Sequence, residues 1–81
     1  MSNKNDGRFG TIEVARRVRI SVERLYYWER IGIVNPEMES FGIRQFRRYS
    51  REDIERAKRV KELVDIEGYT LQAAKRRIVK R

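Results

Sequence analysis

Two short apolar-periodic segments near the start of the chain are separated by almost nothing. In the first, Ile12, Ala15 and Val18 recur at helical spacing between about Thr11 and Val18. In the second, Val22, Leu25 and Trp28 follow a 3–4 spacing as far as Arg30. Ser21 heads the second segment, where its hydroxyl can accept from a free backbone N–H of the first turn. Gly32 stands just past its end, where a left-handed residue closes a helix without steric cost. Only Arg19 and Ile20 lie between the first segment and that cap. Two short helices joined so tightly form a helix-turn-helix.

The next stretch changes character. Ile33–Val34 is a β-branched pair, and Asn35–Pro36 is a turn signal containing the only proline. Glu37 to Ile43 reads as a loop with Gly42 in it, and Arg44 to Tyr49 as an extended segment. Two extended pieces around a loop suggest a small hairpin, a wing. Ser50-Arg51-Glu52-Asp53 then places a hydroxyl at a helix cap and a carboxylate three residues on, a capping box with Asp in place of Glu. Ile54, Ala57, Val60 (or Lys61) and Val64 carry a third helix, with Leu63 beside them, and Gly68 ends it. Thr70 caps a fourth, with Leu71, Ala74 and Ile78 on one face. The expected fold is therefore mainly α with a small β-hairpin wing, a winged helix-turn-helix of four helices. Its core is expected from Ile12, Ala15, Val18, Leu25, Ile33, Tyr49, Ile54, Ala57, Leu63 and Leu71.

Eighty-one residues allow one such domain and no second core. Residues 1–9 are expected as a disordered polar tail and residues 10–81 as the domain. The chain has neither Cys nor His, which removes disulfides, zinc fingers, thiol nucleophiles and imidazole chemistry together. No catalytic residue, metal ligand or cofactor is expected. No apolar run approaches the ~18 residues that span a bilayer. The formal charge of +8 points to a polyanion, nucleic acid before an anionic membrane. That charge is uneven: residues 51–66 carry five charges of each sign, whereas residues 67–81 carry five basic groups against Glu67. The Lys75–Arg81 run has no assigned role beyond a basic helix face.

Three motifs in register carry a family resemblance. Thr11-Ile12-Glu13-Val14-Ala15, then Ile20-Ser21-Val22, then Leu25-Tyr26-Tyr27-Trp28-Glu29-Arg30-Ile31-Gly32 resemble the start of the mercury-resistance regulator (MerR) family. Arg47-Arg48-Tyr49-Ser50-Arg51-Glu52-Asp53-Ile54 resembles its wing exit and third-helix cap, and Glu67-Gly68-Tyr69-Thr70-Leu71 the turn before its fourth helix. The resemblance implies a bacterial, cytoplasmic, nucleoid-associated transcription regulator that binds near-palindromic promoter or operator DNA and distorts it. It also implies that relatives continue into a dimerisation helix and often an effector domain. A homodimer is expected for a full-length form, and a monomer or weak dimer for this chain. Four features depart from the family pattern: Arg19 where a small residue is usual, Tyr26 for Arg, Gln45 for Gly, and a wing loop carrying Met38, Phe41 and Ile43.

In a winged helix-turn-helix the second helix enters the major groove with its N-terminal residues at base edges. Arg24 is then the first candidate for a base, the alternative being an ion pair with Glu23 or Glu29. Ser21 caps and can donate to a phosphate; Val22, Tyr26 and Arg30 share its helix, and Tyr27 matches a family position whose hydroxyl reaches phosphate. Arg16 and Arg17 are candidates to grip backbone, as are Arg44, Arg47 and Arg48 on the wing, with pairing to an acidic helix face as the alternative for Arg47. Phe41 and Ile43 are expected to fold back on the core, or else to meet a second protein or a base step. Two rival functions remain: an excisionase-like architectural DNA-bending factor, and a basic protein-interaction module.

Overall fold

A computed structural model describes residues 9–79. In chain order these form α1 (Thr11–Val18), α2 (Val22–Arg30), β1 (Glu37–Phe41), β2 (Arg44–Arg48), α3 (Arg51–Lys61), a π-helical segment (Glu62–Ile66) and α4 (Leu71–Val79). The mainly helical, winged helix-turn-helix reading holds.

The turn between α1 and α2 closes on one residue. Arg19 has φ 68°, the one non-glycine with positive φ among the described residues. The amides of Arg19 and Ile20 both donate to the Ala15 carbonyl, at 2.8 and 3.0 Å. Ser21 then caps α2, its Oγ accepting from the Arg24 amide at 3.0 Å. A side chain in this left-handed region costs about 1 kcal/mol relative to glycine. Arg19, where the resemblance implies a small residue, is thus a strained residue in this turn.

The wing needs a correction. Glu37–Phe41 is a strand rather than a loop, pairing antiparallel with β2 from Glu37↔Arg48 to Phe41↔Arg44. Only Gly42 and Ile43 turn the chain, with Gly42 at φ 63°. Positive φ at the first central residue alone is the II′ pattern, whose twist suits a hairpin. A two-stranded ribbon without a buried face shows no apolar alternation, so periodicity could not reveal β1. Ile33 and Val34 lie outside the sheet, fully buried among the helices.

The core holds Leu25, Trp28, Ile33, Tyr49, Ile54, Ala57, Val60 and Leu63 around Val14, Ala15 and Val18. Two expectations fail here. Ile12 is 64% exposed, and Leu71 only packs against the core from its edge. At about 100° per residue, Val14, Ala15 and Val18 share an arc that leaves Ile12 outside. Phe9, expected in the tail, is instead 9% exposed and bridged to Tyr49 by amide-to-carbonyl bonds of 3.0 and 2.8 Å. Residues 1–8 of the expected tail lie outside the described residues. So do Lys80 and Arg81 of the terminal basic run.

The N-terminus of α3 is locked by a buried carboxylate. Ser50 Oγ accepts from the Asp53 amide, and Asp53 Oδ2 from the Ser50 amide, both at 3.0 Å. Asp53 Oδ1 also accepts from the Asn35 amide at 2.9 Å and Arg56 Nη2 at 2.7 Å. With both oxygens satisfied and a cation beside it, Asp53 tolerates 2% exposure. It thereby ties α3 to the segment that enters the wing. The third helix does not run uniformly to Gly68: after Lys61 it loosens into the π-helical segment, which carries Asp65.

Candidate nucleic-acid interface

Leu25 and Trp28 fix how α2 is turned, because both are buried. Steps of about 100° then place Glu23, Tyr26, Tyr27 and Arg30 on the opposite side. All four are exposed. Arg24 falls on the flank beside Trp28, four residues on. There its guanidinium lies 5.0 Å from the Trp28 ring centre. Its Nη2 and Nη1 donate to the two carboxylate oxygens of Asp65 at 2.8 and 3.1 Å. That bidentate bond is the main reason the Asp65 carboxyl lies below its ordinary 3.8, with Lys61 Nζ adding its charge at 3.6 Å. The residue expected first at a base edge is therefore held in an ion pair on the flank of α2. Neither Glu23 nor Glu29 is its partner.

The other flank of α2 holds the wing. Arg47 Nε donates to Glu29 Oε1 at 2.7 Å, and the same guanidinium lies 4.6 Å from the Tyr26 ring centre. The Glu29 hydrogen bond raises the Arg47 pKa further, against the burial that opposes it. Tyr26, where the resemblance implies an arginine, thus serves as a platform for a wing arginine. Behind this contact Tyr49 is fully buried, its hydroxyl without a hydrogen-bond partner among the described residues. Burial raises that phenol above its ordinary 10.0.

Ion pairing sorts the other expected arginines. Arg48 pairs with Glu39 across the hairpin, and Arg17 with Glu13 one turn away on α1 at 3.1 Å. Arg17 also lies over the Phe9 ring. Arg16, Arg30 and Arg44 are exposed and have no carboxylate partner among the described residues. Arg44 lies over the Phe46 ring at 5.3 Å. Of the three wing arginines, then, one is free to meet an external anion without breaking an ion pair. Ser21 is engaged as a cap yet exposed, Val22 is half-buried, and Tyr27 presents its ring to solvent.

Between α1, the first turn of α2 and β2 runs an open cleft. Ile12, Val22, Tyr26 and Phe46 line it, with Arg47 and Arg48 at one side. This is where the exposed Ile12 sits. Phe41 and Ile43 do not fold back: they are 54% and 99% exposed at the far end of the wing. Sequence reasoning missed Glu23, the single carboxylate on the outward face of α2. Its signal was present in the angle it makes with Leu25 and Trp28. Among the described residues no cluster of acidic groups could hold a metal ion, and no helix is long and apolar enough to cross a membrane.

A family model described as MerR HTH family regulatory protein matches residues 11–79. The chain belongs to the MerR helix-turn-helix family. The match starts at the first residue of α1 and ends at the last of α4, so it covers both helices of the motif, the wing and the two helices behind them. No curated protein matches the chain. MerR-family domains of this type belong to DNA-binding transcription regulators, a class that is not typically enzymatic, and DNA is the partner the family implies. In this chain Arg24 and Arg47 hold α2 from its two flanks, leaving tyrosines, Arg30 and Glu23 on the face between them.

Proposed function

We propose that this chain is the double-stranded-DNA-binding domain of a bacterial transcription regulator, acting in the cytoplasm on promoter or operator DNA and carrying no catalytic chemistry. One observation carries the reading. The outward face of α2 stands beside a wing bonded to it through Arg47, and Arg16, Arg30 and Arg44 offer three unpaired charges across α1, α2 and the wing. α2 enters the major groove with Ser21 and Val22 leading. Arg16, Arg30 and Arg44 take phosphates, and Tyr27 adds a phenolic donor to the backbone. Arg47 and Arg48 position the wing through their carboxylate partners, and they and Arg17, paired within α1, lend charge to the groove wall. Tyr26 meets DNA at the edge of its stack with Arg47. Arg24 braces α2 from behind rather than touching a base. Glu23, at the N-terminal end of the outward face, accepts from a cytosine amino group, the base-edge donor a carboxylate recognises. This chain binds a half-site as a monomer or weak dimer.

A gel shift on random-sequence duplex, followed by selection of bound sites from a random pool, tests this. Retardation at low salt is expected. Alanine at Arg16, Arg30 or Arg44 should weaken binding alike on all sequences, and each should lower the salt slope by about one unit. No retardation by the native chain, or a triple alanine variant indistinguishable from it, overturns the proposal. Selected sites arranged as several tandem copies rather than one inverted pair would instead favour an architectural DNA-bending role.

A further inference from the structure

The far end of the wing is apolar, cationic and free of carboxylates. Phe41 and Phe46 meet edge to face across the hairpin with ring centres 5.6 Å apart. Ile43, in the two-residue turn, is 99% exposed. Arg44 follows it, lies over Phe46 and has no ion-pair partner among the described residues. From Ser40 to Arg47 the sequence contains no acidic residue. Glu39, nearer the base of the wing on the same face, is taken by Arg48. Hairpin turns facing water favour Gly, Asn, Asp and Ser. A fully exposed isoleucine at this place gains nothing from folding, so its apolar surface is available to an external partner.

The charge around the tip points to a polyanion, and its apolar end to one with an apolar interior. A stacked duplex has both properties. Minor-groove proteins part base steps with an aliphatic wedge while arginines hold the flanking backbone. The minor groove is about 6 Å wide, so a two-residue turn can enter where the whole ribbon cannot. We propose that the wing tip enters the minor groove next to the major groove that receives α2, and that Ile43 wedges open one base step. Arg44 holds the adjacent phosphate, and the Phe41–Phe46 pair stiffens the hairpin behind the wedge. This inference rests on the DNA-binding reading above.

The test uses the whole chain on a duplex selected as described, labelled at its ends for energy transfer and carrying 2-aminopurine at successive positions. The native protein should shorten the end-to-end distance and brighten 2-aminopurine at one step outside the α2 contact. Ile43→Ser, which suits the turn, should abolish the brightening and remove at least half of the shortening, with affinity kept within about tenfold. Ile43→Leu should retain both signals. Unchanged signals in Ile43→Ser, or no brightening with the native chain, overturn the wedge while leaving DNA binding intact. Self-association that depends on Ile43 without DNA also overturns it, by making the tip a contact between copies. Failure of the native chain to bind any duplex overturns both the wedge and the reading beneath it.

Discussion

Replacing Asp65 by Asn removes the charge that holds Arg24 while keeping the shape of the side chain. The two hydrogen bonds measure 2.8 and 3.1 Å. For unit charges ~4 Å apart, Coulomb's law gives about 1 kcal/mol in water and about 4 kcal/mol at an effective dielectric of 20. Both side chains are 33% exposed, so solvent screens much of this. Ordering two long side chains costs more of it, and the net coupling should lie near 1 kcal/mol, the upper end for exposed pairs. Arg24→Ala should cost more than Asp65→Asn, because it also removes the guanidinium from the Trp28 ring. A double-mutant cycle by urea denaturation isolates the pair. Asp65→Asn alone should lower Tm by about 4–8 °C for a domain of this size.

The pH dependence has a definite sign. The folded-state carboxyl of Asp65 lies below its ordinary 3.8, so its contribution is fully present above that value and is lost as pH falls through the lowered folded value. Coupling should stay flat from about pH 7 to about pH 5 and disappear under stronger acid. Added salt should shrink it, since both groups face solvent. A coupling below about 0.2 kcal/mol would refute the bracing role. So would a selection experiment in which Arg24→Ala changes the preferred base and Asp65→Asn does not, because Arg24 would then be reading DNA.

Arg19→Gly should stabilise the domain by about 0.5–1 kcal/mol in thermal melts, by relieving the left-handed side chain at φ 68°. Phe9→Ala should cost about 3 kcal/mol in urea denaturation, as expected for a buried aromatic and not for a tail residue. Glu23→Gln should relax or change preference at a single base position by about 1–3 kcal/mol in selected sites, without lowering the salt slope. An unchanged site preference would leave Glu23 with only its favourable place at the start of a helix.

Local chemistry written in single residues was legible from the chain alone. Ser21 and Ser50 announce helix starts, Gly32 and Gly68 mark helix ends, and Arg19-Ile20 is too short for anything but a tight turn. These signals act over four or five residues, through backbone hydrogen bonds and permitted φ values, so they need no partner from elsewhere. The turn signals of the wing and the caps of the two helices behind it are of the same local kind. What failed at this level involved a choice of partner. Ile12 and Val14 both fit a helical stripe, and packing buried Val14 while leaving Ile12 in the cleft beside the wing. β1 could not show itself, because a ribbon solvated on both sides carries no apolar rhythm.

The arginines show the division most clearly. Their number and crude distribution are properties of the chain, and so is the preference for a polyanion. Which of them remains free is not. Asp65 reaches Arg24 across 41 positions, and Glu29 reaches Arg47 across 18. A charge pair at that separation exists only after helices and wing have packed, since Coulomb attraction between solvated side chains is too weak to bring such distant segments together alone. Sequence therefore determined a basic winged helix-turn-helix, and tertiary packing decided which cations it spends on its own scaffold and which it can present to DNA.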